Sequence, residues 1–408
     1  MADQKKRRVL LVNNSVYLPG EGGYKRTMYM FDMMKRMGYP VSLVTGDFNH
    51  YKKKERNIEE FQKNYPEYRD IIFLHMPCYK KNISLKRYYS EKYWSRQFKK
   101  WFRVNANNYD VVFFSDIDYN LPVDKICNKH NIKKIVDIRD LRPEAFRVVV
   151  KNELLYKILF FPMKCKANKA YSCADEFVAV SKEYLERGLI ANNKSKDPAV
   201  VYLGSTLEKF FSGVEEYADE IFKTKGEIWV TYAGTLGESY DLITLIDAAK
   251  KIEDIYGQRV RFNILGQGPD EEKLKKHLLS VGAQNVEFVG FLPYEKMAAF
   301  LSKSDITVNA VKKNASQSII NKVADYFAAG IPMLNSCTCK EQQDMVSENR
   351  VGINYEAENA ESLVEAISKL IEDPSLCEEY GMNAKKLALQ KFDRRTSYLE
   401  ILKRIDEV

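Results

Sequence analysis

One stretch of the sequence combines a possible anion site with a carboxylate. Residues 317–334 read QSIINKVADYFAAGIPML and follow an apolar run at residues 305–309 that is typical of a buried strand. A glycine and a proline end the helical pattern, so the stretch predicts a helix over residues 318–329 that begins at the carboxyl end of a strand. The amides and dipole at a helix start favour an anion. Asp325, one turn inside, could reach neutral hydroxyls of the same ligand.

Glycines also follow strand patterns in both halves of the chain. Gly22 and Gly23 lie between the first predicted strand and the first predicted helix, where a Rossmann-like fold brings its backbone close to phosphate. Gly234 and Gly266 stand at matching strand ends in the second half. None of these loops has the G-x-G-x-x-G spacing of a dinucleotide site. Together with the helix at residue 318, they predict a phosphate-containing ligand.

The elements that must position these residues alternate between strand and helix patterns, which indicates parallel sheets. The first set of predicted strands covers residues 9–13, 41–45, 71–75, 111–115, 134–138, 176–180 and 199–203. The second set covers residues 228–233, 260–265, 286–289, 306–309 and 332–335. The predicted fold class is α/β, with two Rossmann-like domains whose parallel sheets face each other across a cleft.

Three segments follow from this pattern. Residues 1–204 are predicted to form the first Rossmann-like domain. Residues 205–388 are predicted to hold a less regular connection, up to residue 226, and the second Rossmann-like domain. Residues 389–408 are predicted to form a C-terminal helix that packs back on the first domain.

Composition narrows the class of protein. The chain has 408 residues, of which 45% are hydrophobic, and it has no run of about 20 apolar residues that would span a bilayer. The N-terminus has no apolar region adequate for a signal peptide. Seven scattered cysteines are typical of reduced thiols rather than of a disulfide framework. We therefore expect a cytoplasmic protein.

The net charge of +8 is the sum of two unequal halves. Residues 1–200 carry 39 basic and 23 acidic residues, whereas residues 201–408 carry 25 basic and 33 acidic ones. Nine basic residues and one acidic residue lie within residues 80–103, where four aromatic residues share one helical face. This composition predicts a helix on an anionic membrane surface, through Lys92, Trp94, Arg96, Phe98, Lys99, Lys100, Trp101, Phe102 and Arg103. The alternative is that the aromatic residues pack on the domain core while the lysines are solvated.

The order of motifs in the second half resembles the donor domain of glycosyltransferase family 4. YAGTLG, ILGQGPD, VEFVGFLPYEKM and NKVADYFAAG follow one another as they do in that family, which comprises retaining, nucleotide-sugar-dependent transferases of GT-B fold. VDIRDLRPEAF is similar to a segment of a polysaccharide-biosynthesis branch that often transfers N-acetylated amino sugars. The resemblance implies transfer from a UDP-sugar to a lipid-linked or glycan acceptor at the inner face of the membrane. It implies no metal and no further cofactor.

The resemblance also assigns residues, with departures from the family pattern. The family's Glu-x7-Glu pair falls on Gln317, which would contact the transferred sugar, and on Asp325, which would bind ribose. The arginine and lysine that usually clamp the diphosphate are missing, and Thr235 stands in their region. The remaining candidates for the donor phosphates are Ser318, Ile319, Ile320, Asn321, Lys322 and, from the first domain, Arg26. A solvated helix lysine or a structural arginine is the alternative for the last two.

On the acceptor side, Arg139 and Asp140 follow a predicted strand where many family members have His-Asp. The resemblance implies that Arg139 stabilises charge or positions a substrate, with Asp140 as its orienting partner or as a contact to an acceptor hydroxyl. The alternative is a pair that only braces the loop. Asp116 and Asp118 form a D-x-D like the metal motif of another transferase fold, but chance D-x-D sequences are frequent, and no metal site is predicted.

Three classes of function stay open on the sequence. An active retaining glycosyltransferase is preferred. A GT-B nucleotide-sugar 2-epimerase and a catalytically inactive GT-B binding subunit of a glycosylation complex are the alternatives. The second alternative is suggested by Gln317, by Asp325 in place of glutamate and by the missing Arg/Lys pair. Nucleic-acid binding is not expected, because the basic half contains no base-reading module.

Overall fold

The protein is described by a computed structural model that covers residues 6–23, 26–82, 84–115, 117–144, 150, 152–315 and 319–408. The chain divides into two compact units. Unit 1 comprises Met1–Val201 and Tyr398–Val408, and unit 2 comprises Tyr202–Ser397. The first boundary lies three residues before the predicted one, and the return to unit 1 begins nine residues later than predicted.

Unit 1 is built on a seven-stranded parallel sheet with the order β5-β2-β1-β6-β7-β8-β9. A short antiparallel ribbon, β3 with β4, lies outside it. The strands of unit 1 are β1 (Val9–Val12), β2 (Val41–Gly46), β3 (Phe48–Asn49), β4 (Lys54–Glu55), β5 (Ile71–Leu74), β6 (Val111–Phe114), β7 (Lys133–Ile138), β8 (Glu176–Ala179) and β9 (Ala199–Val200). The central strands VLLV and VVFF are buried throughout, as expected for a parallel sheet covered on both faces.

Helices cover both faces of this sheet. They are α1 (Arg26–Arg36), α2 (Ile58–Asn64), α3 (Leu85–Asn105), α4 (Asn120–Lys129), α5 (Glu153–Cys173) and α6 (Lys182–Leu189). One apolar core contains buried residues of α3, α4 and α5, and the other contains those of α1. The order of strands reverses between β1 and β6, and ligands bind at such a switch point in open α/β sheets.

The predicted membrane contact through the aromatic residues of α3 is wrong. Trp94, Phe98 and Phe102 are fully buried in the core, and Trp101 packs partly against it. An apolar stripe on an amphipathic helix can pack against a domain core or against a bilayer, and in α3 it packs against the core. The basic residues at positions 96, 99, 100 and 103 are exposed, and Lys92 lies with its ammonium 5.4 Å from the ring centre of Tyr88.

Unit 2 repeats the architecture with a six-stranded parallel sheet in the order β12-β11-β10-β13-β14-β15. Its strands are β10 (Ile228–Ala233), β11 (Val260–Leu265), β12 (Val286–Gly290), β13 (Ile306–Asn309), β14 (Met333–Asn335) and β15 (Gly352–Asn354). Its helices are α7 (Leu207–Tyr217), α8 (Leu242–Tyr256), α9 (Glu271–Val281), α10 (Tyr294–Lys303), α11 (Lys322–Ala329), α12 (Lys340–Glu348), α13 (Ala360–Glu372), α14 (Pro374–Leu387) and α15 (Arg394–Ser397). The switch point lies between β10 and β13.

The less regular connection predicted up to residue 226 is in large part a helix. Helix α7 buries Leu207 and Phe210 in the core of unit 2, and Gly213 brings it against the backbone of Glu295. The charged residues of α7 lie on the opposite side of the helix, and they obscure the helical spacing of its apolar residues in the sequence. The segment is therefore part of the second domain rather than a linker.

The last helix, α16 (Leu399–Glu407), belongs to unit 1. Tyr398, Ile401, Leu402 and Ile405 are buried in the same core as the apolar face of α1. In the part of the chain that the structure describes, no helix is both long and apolar enough to cross a bilayer.

Candidate functional site

The switch point of unit 2 brings two loops together. The loop after β10 and the loop after β13 form a bridge between Tyr240 and Val311. The amide of Asp241 donates to the carbonyl of Ala310 at 3.3 Å, and that of Lys312 donates to the carbonyl of Ser239 at 3.1 Å. The bridge fixes Tyr240 at the carboxyl edge of the sheet, where helix α11 begins.

Lys322, the first residue of α11, points into this junction. Its ammonium donates to the hydroxyl of Tyr232 at 2.9 Å and lies 4.0 Å and 3.9 Å from the ring centres of Tyr232 and Tyr240. These cation–π contacts offset only part of the lost hydration. Burial holds the pKa of Lys322 well below its usual range, and no carboxylate among the described residues pairs with it. The junction therefore contains a desolvated cation that an anion could neutralise.

Gly234 makes room for that cation. A Cβ at this position would lie 2.5 Å from the Lys322 ammonium and 3.0 Å from the Tyr232 hydroxyl. The hydroxyl of Tyr232 also donates to the carbonyl of Thr235 at 2.8 Å, so it ties the lysine to the glycine loop. Thr235 is exposed at the rim of the junction. The structure thus brings together Gly234, Thr235 and Lys322, three of the residues predicted for the donor.

Gly266 has a different role. Its φ is +129°, and a Cβ there would lie 1.8 Å from the carbonyl oxygen of Gly234. The strand-end loops of β10 and β11 therefore pack backbone against backbone. This packing explains Gly266 without a ligand.

The predicted start of the helix at residue 318 is wrong, because α11 begins at Lys322. Ile319 is buried and Ile320 half-buried in the core of unit 2, so these two residues pack their side chains before the helix begins. Asn321 occupies the N-cap position, and its side chain makes no capping hydrogen bond. Gln317 and Ser318 lie outside the described residues. The helix ends as predicted at Gly330, whose φ is +72°.

Asp325 lies in a second polar group on α11. Its Oδ1 accepts a hydrogen bond of 2.7 Å from the hydroxyl of Tyr294, which lies 2.7 Å from the hydroxyl of Ser205. Burial raises the pKa of Asp325, while the hydrogen bonds from Tyr294 and Ser205 and the charge of Arg394 act against the rise. The carboxylate is half-buried and held in place by neutral hydroxyls. Its partners differ from those of Lys322, so α11 presents two separate polar groups.

In unit 1, the predicted glycine loop is a series of left-handed turns. Gly20, Gly22 and Gly23 have φ values of +79°, +76° and +74°. Glu21 between them forms an ion pair of 2.8 Å with the largely buried Arg56. Added Cβ atoms would clash with a tyrosine ring at Gly23 but would meet nothing within 4 Å at Gly22. A ligand therefore has access to the backbone at Gly22.

Arg26 is not available to a phosphate, and its prediction as a donor-binding residue is wrong. Its guanidinium is buried and donates two hydrogen bonds of 2.9 Å to Asp137. It also donates to the carbonyl of Val201 and the hydroxyl of Tyr398, both at 3.2 Å. These contacts join α1, β7 and the residue before α16, so Arg26 stabilises unit 1.

Arg139 reaches across the carboxyl edge of the first sheet. It donates to the carbonyl of Ser115, at the end of β6, from Nη2 at 2.8 Å and from Nε at 3.2 Å. Its Nη1 lies 3.5 Å from the hydroxyl of Thr27, and its Nε lies 3.7 Å from a carboxylate oxygen of Asp137. Arg139 is therefore fixed at the switch point, and it shares the carboxylate of Asp137 with Arg26.

Asp140 is not the partner that orients Arg139. It is exposed, and the groups that hold the arginine are Ser115, Thr27 and Asp137. Its alternative role, contact with an acceptor hydroxyl, stays a prediction. Tyr51 is half-exposed and stacked at 3.6 Å on Tyr17. Partial burial raises the pKa of Tyr51, while the charge of Arg139 acts to lower it and that of Asp140 to raise it.

The D-x-D sequence gives no metal ligands among the described residues. Asp116 lies outside them, and Asp118 pairs with Lys166 at 2.9 Å and with Arg142 at 3.3 Å. These cations lower the pKa of Asp118. The described ranges contain no group of three or more His, Cys, Asp or Glu side chains that could hold a metal ion.

Several residues of the site were missed by the sequence. Tyr232 and Tyr240 flank the loop that contains Gly234, and an aromatic residue on each side of a strand-end glycine was the available signal. Ser205 and Tyr294 lie far from Asp325 in sequence and have no spacing that connects them to it.

Comparisons with known proteins agree with this architecture. Residues 214–387 match the family model described as "Glycosyl transferases group 1". The glycosyltransferase MJ1069 of Methanocaldococcus jannaschii is 24% identical over 404 residues, which cover 97% of each chain. Anabaena HepE, solved in complex with UDP, superposes with a TM-score of 0.71 at 13% identity, over 98% of this chain and 100% of HepE. WaaG, a glycosyltransferase involved in lipopolysaccharide biosynthesis, gives a TM-score of 0.67 at 14% identity, over 98% of this chain and 100% of WaaG.

The fold and the matches define the class. The chain has a GT-B-type fold of two Rossmann-like domains, and most of its second domain matches the model for glycosyl transferases group 1. This confirms the predicted fold class and the resemblance at the level of a family 4-like glycosyltransferase. The exact family number stays a prediction.

Proposed function

We propose that the protein is a retaining glycosyltransferase that transfers a HexNAc-type sugar from a UDP-sugar to a lipid-linked or glycan acceptor. Unit 2 binds the donor and unit 1 the acceptor. The reaction serves surface polysaccharide or glycoconjugate biosynthesis, in the cytoplasm at the inner face of the membrane, without a metal or further cofactor. The complexes of HepE with UDP and the involvement of WaaG in lipopolysaccharide biosynthesis support this proposal.

The observation that carries the proposal is the desolvated ammonium of Lys322 at the switch point of unit 2. It lies beside the glycine loop after β10 and makes contact with two tyrosines but with no carboxylate of the described residues. Lys322 is half-buried. A partly desolvated cation without a counter-ion costs stability, whereas a diphosphate would neutralise it. In this proposal Lys322 replaces the missing Arg/Lys clamp.

The rest of the donor contacts follow from α11. Asp325, held by Tyr294 and Ser205, accepts hydrogen bonds from ribose hydroxyls through its remaining lone pairs. In the retaining reaction the departing phosphate takes the proton of the acceptor hydroxyl, and Lys322 stabilises the charge that grows on the diphosphate. Gln317 contacts the transferred sugar.

Unit 1 supplies the acceptor contacts. Arg139 is anchored on Ser115, and two of its nitrogens are already bound there, so it positions a substrate rather than exchanging protons. Asp140 is exposed at the same edge and accepts a hydrogen bond from the acceptor hydroxyl. The backbone at Gly22, after β1 at the same edge of the sheet, is open to a ligand.

A donor screen tests the proposal. The purified protein is titrated by calorimetry with UDP- and GDP-sugars, and the same donors are incubated with lipid-linked acceptors and analysed by mass spectrometry. We expect binding of a UDP-sugar and a glycosylated product that keeps the anomeric configuration of the donor. Binding without turnover would favour the inactive binding subunit, and conversion of the donor to its 2-epimer would favour the epimerase. The absence of any nucleotide-sugar binding would refute all three.

A further inference from the structure

Helix α5 of unit 1 is longer than the sheet it covers. Its 21 residues span about 31 Å at about 1.5 Å per residue, whereas the six residues of β7 span about 20 Å at about 3.3 Å per residue. The helix ends at Cys173 and β8 begins at Glu176, so the C-terminus of α5 is fixed at the amino edge of the sheet. The surplus therefore extends beyond the carboxyl edge, the edge that carries Arg139 and Gly22.

The half of α5 that contains this surplus, residues 153–163, is apolar and largely exposed, apart from the buried Tyr156 and the half-buried Phe160; we call it the α5 arm. Ala167, Ala170 and Tyr171, in the other half, are buried in the core. The exposed apolar residues of the arm are Leu154 (70%), Leu155 (49%), Ile158 (65%), Leu159 (57%), Phe161 (64%) and Met163 (36%). Six large apolar side chains in eleven residues exceed the scattered exposed residues of an ordinary surface.

We infer that the α5 arm inserts into the interfacial region of an anionic bilayer. Lys157 lies within the arm, and Lys164 and Lys169 follow it, whereas Lys166 is paired with Asp118. Glu153 is the only acidic residue of the helix. The first half of the chain has 16 more basic than acidic residues. Anionic headgroups are the complementary surface. A second copy would bring the same flanking lysines together, so electrostatics disfavours it as the occupant.

The arm lies in the interface rather than across the bilayer. No described helix is long and apolar enough to span it, and the arm measures only about 16 Å at about 1.5 Å per residue. Tyr156 is buried and Phe160 half-buried, so one side of the arm packs against the protein, and the exposed apolar residues on its other sides are the ones that enter the headgroups and upper acyl chains. This placement sets the carboxyl edge of unit 1 close to the membrane surface.

The inference deepens the proposed function, since a lipid-linked acceptor would be met at this edge. It rests on that function only for the identity of the acceptor, because bilayer binding can be measured without donor or acceptor. It also replaces α3 as the membrane-contacting helix. The arm was missed in the sequence, because an apolar helix segment followed by lysines reads equally well as a buried helix.

Vesicle co-sedimentation of the full chain tests the inference. The vesicles are phosphatidylcholine alone or phosphatidylcholine with about one-quarter phosphatidylglycerol. We expect binding to the anionic vesicles, and a loss of at least about tenfold in the double variant Ile158→Ser/Phe161→Ser. The matched control is Phe222→Ser/Leu279→Ser in unit 2, two apolar residues 87% and 82% exposed, which should change binding by less than about twofold.

Two further measurements separate the outcomes. The fluorescence of a Phe161→Trp variant should be quenched by brominated lipids, beyond any quenching of the wild type, if the arm inserts. Replacing Lys157 by Gln should weaken anionic binding about fivefold. Absence of vesicle binding, unchanged binding of the Ser double variant, or no added quenching in the Phe161→Trp variant would overturn the inference. So would a wild-type dimer that the same double variant dissociates. Donor affinity is measured on the same proteins without vesicles. The absence of donor binding would count against the proposed function and not against insertion of the α5 arm into the bilayer.

Discussion

Replacing Lys322 with methionine should weaken donor binding without weakening the fold. The substitution keeps the length and apolar stem of the side chain but removes the ammonium that contacts Tyr232 and Tyr240. A hydrogen bond to a charged group contributes about 1.5–3 kcal/mol, so the Kd of the UDP-sugar should rise by about 10- to 150-fold. Calorimetric titration of both proteins measures this change. Lys385→Met is the matched control, since Lys385 is exposed and also lies over an aromatic ring, that of Phe211 at 5.5 Å.

The same variant should be at least as stable to unfolding as the wild type, although it binds the donor more weakly. Burial lowers the pKa of Lys322 in the folded protein, so the folded state binds protons less readily than the unfolded chain. The resulting destabilisation is greatest below the lowered pKa and disappears as the pH rises through the ordinary lysine pKa. Urea unfolding at neutral pH should therefore show Lys322→Met at least as stable as the wild type. A variant that loses stability, or one that keeps full donor affinity, would refute the assignment of Lys322 as a diphosphate ligand.

Proton uptake provides an independent check, and four further substitutions test other contacts. A diphosphate raises the pKa of Lys322, so donor binding should take up protons where the free lysine is neutral, as titrations in buffers of different ionisation enthalpy would reveal. Asp325→Ala should weaken donor binding about tenfold in the same calorimetric assay, whereas Tyr294→Phe, which keeps the carboxylate, should have a smaller effect. Arg26→Met should leave the buried carboxylate of Asp137 with only the 3.7 Å contact to Arg139 and cost about 3–5 kcal/mol in urea unfolding; a loss below about 1 kcal/mol would contradict the structural role. Trp94→Ala should likewise cost about 3–5 kcal/mol, while the protein that remains folded binds vesicles as the wild type does.

Five of the six strands of unit 2 could be predicted from the sequence, whereas β15 (Gly352–Asn354) was not. Residues 228–233, 260–265 and 306–309 are strands with the predicted bounds. They are buried on both faces of a parallel sheet, so apolar runs bounded by glycine or polar residues mark them clearly. Gly330 is equally clear, because only a residue that tolerates a φ of +72° ends the helix there without strain.

Helix starts and helix environments could not be predicted in the same way. The side chains of Ile319 and Ile320 continue the helical period of α11 backwards, yet they pack into the core from an irregular segment before Lys322. In α3, the stripe that contains Trp94 and Phe98 has the same spacing whether it meets a core or a bilayer. The local sequence pattern indicates which residues share a face of a helix, but the tertiary fold determines what packs against that face.

The polar groups of the site show a further limit. Ser205, Tyr294 and Asp325 come from three elements separated by 89 and 31 positions, and no spacing rule connects them. Lys322 could be named as a candidate from its place in the sequence. Its lack of a counter-ion, which gives it chemical meaning, depends on the residues that surround it in space.

The two switch points differ in how their cations are held, and this difference fits the two substrates proposed. Arg139 in unit 1 donates to the carbonyl of Ser115 from two nitrogens and shares the carboxylate of Asp137 with Arg26, so few of its donors are left for a ligand. Lys322 in unit 2 has only the faces and the hydroxyl of tyrosines. A sugar hydroxyl is neutral and can be bound by single hydrogen bonds, whereas a diphosphate is bound most strongly by a cation that no carboxylate pairs with. The contacts of each cation within its own unit therefore favour the acceptor in unit 1 and the nucleotide-sugar in unit 2.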